Sequence, residues 1–200
     1  MKTVLITGAA KGLGLDLSRA FLDGGWSVIA TGRDAADIPQ DVSTNPKAKA
    51  LSLDVTDESS IRNVSVALSN VPIDVLINNA GIYDSPSVDD DSAVRDMDHI
   101  IKVFRTNSIG PKFVSEALAD NLEKGGEKLV VTISSGMGTY AQLFGEGMTS
   151  VSRGKSDVYT ASHWAYSASK TAANYSMLCF HVLHPNIKSV LINPGWIRSI

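Results

Sequence analysis

Residues 4–14 read Val4-Leu5-Ile6-Thr7-Gly8-Ala9-Ala10-Lys11-Gly12-Leu13-Gly14. The apolar run at the start has the composition of a short buried strand, and apolar residues recur at helical spacing from Leu13 onward. Three glycines therefore lie between a strand and a helix, where they allow a tight turn and a close backbone approach to a bound group. The amides at the start of the helix favour an anion. The spacing Gly-x-x-x-Gly-x-Gly predicts a turn that holds a pyrophosphate.

Strands and helices are predicted to alternate along the rest of the chain. Further strands are expected at about 27–30, 50–53, 74–77, 128–133 and 189–192, and two long helices at about 98–122 and 164–183. Such alternation predicts βαβ units, and so a parallel sheet covered by helices on both faces. We expect an α/β fold with a Rossmann-type, doubly wound parallel sheet, in one domain that spans residues 1–200.

The composition excludes several classes of protein. The chain has 200 residues, 44% of them hydrophobic, and a net charge of −3 with both signs interspersed, so neither a nucleic-acid nor a membrane surface is expected. No Cys/His cluster has zinc-like spacing, and the single Cys179 excludes an internal disulfide. A signal peptide and an apolar run of about 18 residues are both missing, which predicts a cytoplasmic protein. The lack of a Cys/His cluster predicts that the protein holds no metal.

The end of the second predicted strand bears on the choice of nucleotide. An acid there would bind a ribose 2′-hydroxyl, whereas a cation would accept a 2′-phosphate. Gly32 stands 18 residues after Gly14, where the acid would be, and Arg33 follows it. Lys11 lies in the glycine turn, near the same phosphate. The two cations favour NADP(H) over NAD(H), although Asp34 argues the other way and either charge could belong to a solvated loop.

Polar and small residues also follow the third and fourth strands. Asp54 can accept a hydrogen bond from an adenine amino group, or else act as a helix cap. Thr56 or Asp57 is expected at the N-cap of the helix that follows. Residues 78–81 read Asn78-Asn79-Ala80-Gly81. Their small members allow close approach of a cofactor, and their asparagines can tie neighbouring strand ends together. In open α/β sheets, ligands bind outside these carboxyl ends of the strands.

The pentapeptide Tyr166-Ser167-Ala168-Ser169-Lys170 places a phenol and an ammonium one turn apart on the last predicted helix. A Lys beside a Tyr favours the phenolate and lowers the pKa of the phenol from roughly 10. A proton donor tuned in this way suits carbonyl reduction or alcohol oxidation. Asn107 interrupts an apolar helix face, so its side chain is expected to hold a water or a backbone group.

In chain order these motifs resemble the short-chain dehydrogenase/reductase family. The matching residues are Thr7, Gly8, Gly12, Gly14, Asp54, Asn78, Asn79, Ala80, Gly81, Asn107, Ser135, Tyr166, Lys170, Pro194 and Gly195. They cover nearly the whole chain. The stretches 164–170 and 184–199 look most like the subgroup that contains the C-factor signalling protein and the sniffer carbonyl reductases.

The resemblance implies an oxidoreductase that moves hydride between NADP(H) and a carbonyl or alcohol substrate. Tyr166 would be the general acid or base, and Lys170 would bind the nicotinamide ribose and lower the pKa of Tyr166. Ser135 would hydrogen-bond the substrate oxygen, with Ser134 as a competing candidate. Asn107 would hold a water that links Lys170 to solvent.

The same resemblance implies a set of residues around the cofactor. The phosphates would lie on Gly8, Lys11, Gly12, Leu13 and Gly14, and the 2′-phosphate would lie by Arg33. Adenine would lie between Asp54 and Val55, and the adenosine ribose on Asn79, Ala80 and Gly81. The nicotinamide carboxamide would lie on Pro194, Gly195 and Ile197. The long helices at 98–122 and 164–183 would pair between subunits of a homodimer or homotetramer.

Two departures from the family pattern keep alternatives open. Ser135 and Tyr166 are 31 residues apart, about twice the usual separation, which predicts an extended loop at 139–163 near the substrate cleft. The usual C-terminal helix and seventh strand are expected to be absent, leaving an open edge beside strand six. A non-enzymatic NADP-binding signalling or regulatory protein is therefore the alternative. A carbohydrate epimerase or dehydratase is a third, disfavoured by the glycine spacing and the short chain.

Overall fold

One parallel sheet organises the molecule, which a computed structural model describes for residues 1–83, 96–139 and 163–195. Its strand order is β3-β2-β1-β4-β5-β6. The strands are β1 (Thr3–Ile6), β2 (Ser27–Gly32), β3 (Ala48–Ser52), β4 (Val75–Asn78), β5 (Leu129–Ile133) and β6 (Lys188–Ile192). All six predicted strands are present and parallel. The Rossmann-type fold is confirmed, with its topological switch point between β1 and β4.

Helices lie on both faces of this sheet. Those of the described residues are α1 (Gly12–Asp23), α2 (Gln40–Ser43), α3 (Glu58–Ala67), α4 (Met97–Phe104), α5 (Gly110–Ala117), α6 (Ala119–Lys124) and α7 (Trp164–Leu183). The helix predicted at 164–183 is confirmed. The single helix predicted at 98–122 is wrong in detail, because a π-helical turn, Arg105–Ile109, separates α4 from α5 and a break at Leu118 separates α5 from α6.

The alternation of β1 shows how one strand serves two cores. Leu5 is fully buried among apolar side chains of α3, α5 and α7, while Val4 and Ile6 are buried on the opposite face, against α1 and α2. The central strand is therefore apolar at every position, as expected for a parallel sheet covered on both sides. This packing fixes the carboxyl ends of β1, β4 and β5 beside the start of α1.

The β6 side of the sheet is more open. Within the described ranges, β6 pairs with β5 alone, and Val190 and Ile192 remain 43% and 40% exposed. An apolar groove of about 540 Å³ runs along the α1 face of β4, β5 and β6. The open edge expected beside strand six remains a prediction, because residues 196–200 lie outside the described part of the chain.

Some of the residues named in the sequence analysis lie outside the part of the chain that the structure describes. Most of the predicted extended loop, residues 140–162, lies outside the described residues, and so does Ile197. None of the helices in the part of the chain that the structure describes is long and apolar enough to cross a bilayer.

Candidate active site

The glycine turn between β1 and α1 has the backbone that a bound diphosphate requires. Gly8 and Gly12 have positive φ angles of 67° and 56°. A Cβ on Gly14 would lie 2.3 Å from the Gly8 carbonyl oxygen, so a side chain there would block the turn. Lys11, at the N-cap position, makes no side-chain hydrogen bond to the first amides of α1. These amides are thus available to an anion, and the turn fits the predicted pyrophosphate site.

Asn79 and Thr7 fasten the ends of β1 and β4 together. The Asn79 Nδ2 donates to the carbonyl oxygens of Thr7 at 2.9 Å and of Gly8 at 3.1 Å. The Thr7 hydroxyl oxygen accepts from the backbone amides of Asn79 and Ala80, each at 3.0 Å. The prediction that an asparagine ties these strand ends is confirmed. Asn78 instead turns into the core, where its Nδ2 donates to Ser115 Oγ at 2.9 Å.

The corner where the 2′-phosphate is predicted contains two exposed cations. Lys11 and Arg33 are both exposed, and neither has an ion-pair partner among the described residues. Asp34, the acid that argued for NAD(H), has a local role, since its Oδ1 accepts from the Ala36 amide at 2.9 Å. That bond caps the short 3₁₀ turn Ala35–Asp37. The balance of charge at this corner is positive.

Asp54 does not cap the next helix, so its expected role as a helix cap is wrong. Its Oδ1 accepts from the Thr56 amide at 2.8 Å and from the Thr56 hydroxyl at 2.7 Å. The cap of α3 is Asp57, which accepts from the amides of Ser59 and Ser60. Contacts of Asp54 and of the buried Val55 with adenine remain predictions.

A cleft of about 570 Å³ opens at the carboxyl ends of β4, β5 and β6. It brings together eight of the sequence-predicted residues, namely Leu13, Asn79, Gly81, Ser135, Tyr166, Lys170, Pro194 and Gly195. Lys11, Arg33, Asp54 and Asn107 are not part of its lining. Of the glycine turn only Leu13 lines this cleft, and Gly8, Gly12 and Gly14 do not.

Tyr166 and Ser135 both line this cleft. Burial raises the pKa of the Tyr166 phenol, and a hydrogen bond between the phenol and the Ser135 side chain only partly opposes that rise. The expectation that Lys170 lowers this pKa is wrong for this structure. The Lys170 Nζ lies 5.7 Å from the centroid of the Tyr166 ring and donates to the Ile133 carbonyl oxygen at 2.7 Å.

Lys170 is itself perturbed. Burial lowers its pKa to about 8, because the ammonium has lost most of its hydration. Its Nζ points towards Gly81, and a Cβ on that glycine would lie 3.7 Å from the nitrogen. The amine thus stands close to the backbone of the turn after β4, on the side where the cofactor ribose is predicted.

Asn107 connects the turn after β4 to α7. Its Oδ1 accepts from the Ile82 amide at 2.8 Å, and its Nδ2 donates to the Ile82 carbonyl oxygen at 2.9 Å and to Ser169 Oγ at 3.1 Å. Of the two alternatives for this side chain, the backbone group is confirmed. The water that would link it to Lys170 remains a prediction.

The two serines after β5 differ in orientation. The Ser134 hydroxyl donates to Asn174 Oδ1 at 2.6 Å and is thereby committed to α7. The Ser135 Oγ accepts from the Met137 amide at 3.2 Å, and Ser135 lines the same cleft as Tyr166. The geometry favours Ser135 over Ser134 as the partner of the phenol.

Comparison with known proteins identifies the family of this chain. The family model described as short chain dehydrogenase matches residues 2–147. The chain belongs to the short-chain dehydrogenase family. Members of this family are oxidoreductases that use nicotinamide cofactors and act on small molecules.

Similar proteins support this membership over the whole chain. A dehydrogenase/reductase SDR family protein 7-like from Anopheles gambiae is 32% identical over 212 residues, covering 99% of this chain and 60% of the relative. A carbonyl reductase from Pseudomonas aeruginosa in complex with NADP is 28% identical with a TM-score of 0.80, covering 99% of this chain and 84% of that structure. NADPH-bound carbonyl reductase from chicken fatty liver is 26% identical with a TM-score of 0.77, covering 100% and 81%. The chain thus spans about 60% of the length of the insect relative.

This short-chain dehydrogenase has aromatic neighbours of Tyr166 that sequence reasoning missed. The Tyr83 ring meets the Tyr166 ring edge-on, with centroids 4.7 Å apart and an interplanar angle of 81°. Its face is stacked on His163, with centroids 5.4 Å apart and planes 10° apart. Tyr83 lies two residues after Gly81, and His163 lies three residues before Tyr166. This closeness to predicted site residues is the feature of the sequence that could have pointed to them.

Proposed function

We propose that this protein transfers hydride between NADP(H) and a carbonyl compound, or the corresponding alcohol. The observation that carries the proposal is that Ser135, Tyr166 and Lys170 line one cleft at the carboxyl ends of the strands. When bound, the nicotinamide cofactor supplies or accepts the hydride. The protein contributes binding, orientation and the accompanying proton.

The proton chemistry follows from the environment of the phenol. Because burial raises its pKa, Tyr166 is protonated at neutral pH and can donate to a substrate oxygen that becomes negative during reduction. Ser135 is placed to hydrogen-bond the same oxygen and stabilise that charge. The Lys170 ammonium places a positive charge 5.7 Å from the centroid of the Tyr166 ring and would hold the ribose hydroxyls. In the oxidation direction the phenolate would act as the base.

The remaining parts of the chain support a cofactor with a 2′-phosphate. Lys11 and Arg33 present two exposed cations at the β2 end, and Asp34 is occupied by its own turn. The carbonyl reductases of P. aeruginosa and chicken liver, similar in fold, are described with NADP and NADPH. Gly8, Gly12, Leu13 and Gly14 would hold the phosphates, and Asp54, Val55, Ala80 and Ile197 would complete the contacts.

The proposal is tested by incubating the protein with NADPH and a panel of aldehydes, ketones and quinones. We expect Tyr166→Phe to lower kcat/KM at least about 100-fold, because the proton donor is removed while the ring stays. Tyr175→Phe, on the exposed face of the same helix, is the matched control and should retain activity. Undiminished turnover by Tyr166→Phe would contradict the mechanism. Cofactor binding without turnover of any substrate would favour the non-enzymatic, regulatory alternative.

We also propose the domain organisation, the subgroup, the assembly and the cellular location of this protein. Residues 1–200 form one dinucleotide-binding domain, with its 139–163 segment beside the substrate. The chain is closest to the subgroup of the C-factor protein and the sniffer carbonyl reductases. It assembles as a homodimer or homotetramer, and it resides in the cytoplasm. A fluorescent fusion tests the location, and light scattering tests the assembly.

A further inference from the structure

Tyr83 is a partly exposed aromatic side chain in the cleft that the proposed proton transfer does not use. Its side chain lines the cleft, and the residue is 46% exposed. A tyrosine placed this way normally has several orientations open to it. Here contacts with two neighbouring rings restrict the orientation of the Tyr83 side chain. This fixed orientation bears on which substrates the cleft can bind.

The two ring contacts fix the plane of Tyr83 at a defined angle to the catalytic phenol. One is the edge-on contact with Tyr166 at 4.7 Å, and the other is the near-parallel stack on His163 at 5.4 Å. Both are favourable aromatic arrangements. His163 is 6% exposed and begins the turn that leads into α7, so it is a fixed support. Tyr83 is therefore a rigid, flat surface directly beside the reacting group.

Apart from Lys170, the side chains that line the cleft among the described residues are apolar or uncharged. Ile82 and Met137 line the same cleft, and a thioether is a good neighbour of aromatic rings. Lys170 is the one charged side chain among the described lining residues, and it donates to the Ile133 carbonyl oxygen. A carboxylate, phosphate or sulfonate on the substrate would find no exposed cation among these described lining residues.

We infer that Tyr83 is a specificity-determining residue for uncharged aromatic or conjugated carbonyl compounds. The planar group of the substrate packs against the Tyr83 ring, which places its carbonyl oxygen towards Tyr166 and Ser135. His163 acts as a positioning residue that holds the Tyr83 ring. This inference rests on the proposed function, and it adds the substrate class to it.

Binding of a matched pair of ketones tests the inference. Acetophenone and cyclohexyl methyl ketone share one carbon skeleton, but only the first has a flat ring. Their affinities for the full chain loaded with NADP⁺, which cannot reduce them, are measured by saturation-transfer NMR titration. Since an aromatic pair adds a modest preference beyond burial, we expect acetophenone to bind about 2- to 12-fold more tightly. Equal affinities, or no binding of either ketone, would overturn the inference.

Variants of Tyr83 and His163 separate the ring from general apolar contact. Tyr83→Leu is expected to abolish the preference for acetophenone, and Tyr83→Phe to keep it. His163→Ala is expected to weaken the preference, and His163→Phe to restore it, a rescue that general destabilisation would not produce. If the preference persists in folded Tyr83→Leu, the inference fails. If that variant does not fold, the affinities of the wild type and of Tyr83→Phe for the two ketones still test the inference.

The binding experiment is independent of turnover. An acetophenone preference that depends on Tyr83, together with no NADPH oxidation by any carbonyl compound, would support the aromatic site and reject the proposed function. Turnover of several ketones without a preference for planar ones would do the reverse. The two proposals therefore fail by different results.

Discussion

Lys170 keeps an ionisable amine almost completely buried beside the ends of β4 and β5. Its pKa of about 8 in the folded protein, against 10.5 when unperturbed, means that the folded state binds fewer protons than the unfolded state between those two values. Stability must therefore rise with pH across that window and be independent of this group below it. The difference corresponds to roughly 3 kcal/mol.

We expect the free energy of unfolding of the wild type, relative to Lys170→Met, to increase by up to roughly 3 kcal/mol as pH rises from about 8 to 10.5. Urea unfolding of both proteins at several pH values measures this difference. Lys49→Met, at an exposed site on β3, serves as the control and should show a difference that stays constant with pH. A constant difference for Lys170→Met as well would show that the amine is not buried in its charged form.

Arg33 is the residue on which the NADP(H) proposal depends most directly. A charged hydrogen bond to a 2′-phosphate contributes about 1.5–3 kcal/mol, so Arg33→Ala is expected to weaken NADPH binding roughly 10- to 100-fold. NADH affinity should change little, because that nucleotide carries a hydroxyl there. Fluorescence titration with both nucleotides measures the two effects. Arg62→Ala, which removes an exposed ion pair with Glu58 on α3, is the control. Equal losses for both nucleotides would argue against a 2′-phosphate contact.

At the level of elements, the π-helical turn Arg105–Ile109 is what joins α4 and α5 to the site. It sets the Asn107 side chain against both backbone polar groups of Ile82 and against Ser169 of α7. A polar side chain buried in this way is fully used, which compensates for the poor fit of an asparagine inside a helix. The turn thereby holds the Gly81–Ile82 backbone that lines the cleft.

Asn107→Leu is expected to lower the free energy of unfolding by about 1–3 kcal/mol, since it removes the hydrogen-bond partners of the partly buried Ile82 amide and carbonyl. Cofactor affinity should fall as well, because the turn after β4 loses its anchor. Urea unfolding and NADPH titration measure the two effects. Ser108→Ala, in the same turn, removes only a bond to the Phe104 carbonyl and is the control. A variant as stable as the wild type would show that Asn107 does not hold this turn.

The elements that local patterns determine were predictable, and those set by distant contacts were not. The strands and α7 follow from apolar runs and helical spacing within a few residues. The π-helical turn depends on Asn107 meeting Ile82, 25 residues away, and a single helical pattern contains no sign of it. The pKa of Tyr166 was predicted in the wrong direction for the same reason, because burial outweighs its neighbour in sequence.

The site residues divide in a similar way. Glycine spacing indicated the turn at Gly8 and Gly14, where a Cβ has no room, and the Tyr166–Lys170 spacing indicated one helix face. The aromatic support of Tyr83 by His163 was missed, since the two lie 80 residues apart in the sequence and meet only in the folded chain.

For the molecule as a whole, the outer surfaces of α5 and α7 are unusually apolar. Phe113 on α5 is 49% exposed, and Tyr175, Leu178 and Val182 on α7 are 73%, 54% and 77% exposed. The two helices lie side by side, and His184, just after α7, contacts Glu116 of α5 at 2.8 Å. Tyr175, Leu178 and Val182 are three and four residues apart along α7, which places their side chains on one face of the helix. Exposed apolar surface of this kind is typical of an interface.

We therefore expect a homodimer or homotetramer assembled through α5 and α7. Leu178→Glu and Phe113→Glu would each place a charge in the centre of that interface, where it would have to be desolvated, and should convert the assembly to a monomer. Val66→Glu, at a 68% exposed site on α3, is the matched control and should leave the assembly unchanged. Light scattering at micromolar concentration measures the mass, with circular dichroism to check folding. A wild type with the mass of one chain would refute the assembly, and a dimer that survives both α5 and α7 substitutions would assign the interface to another surface.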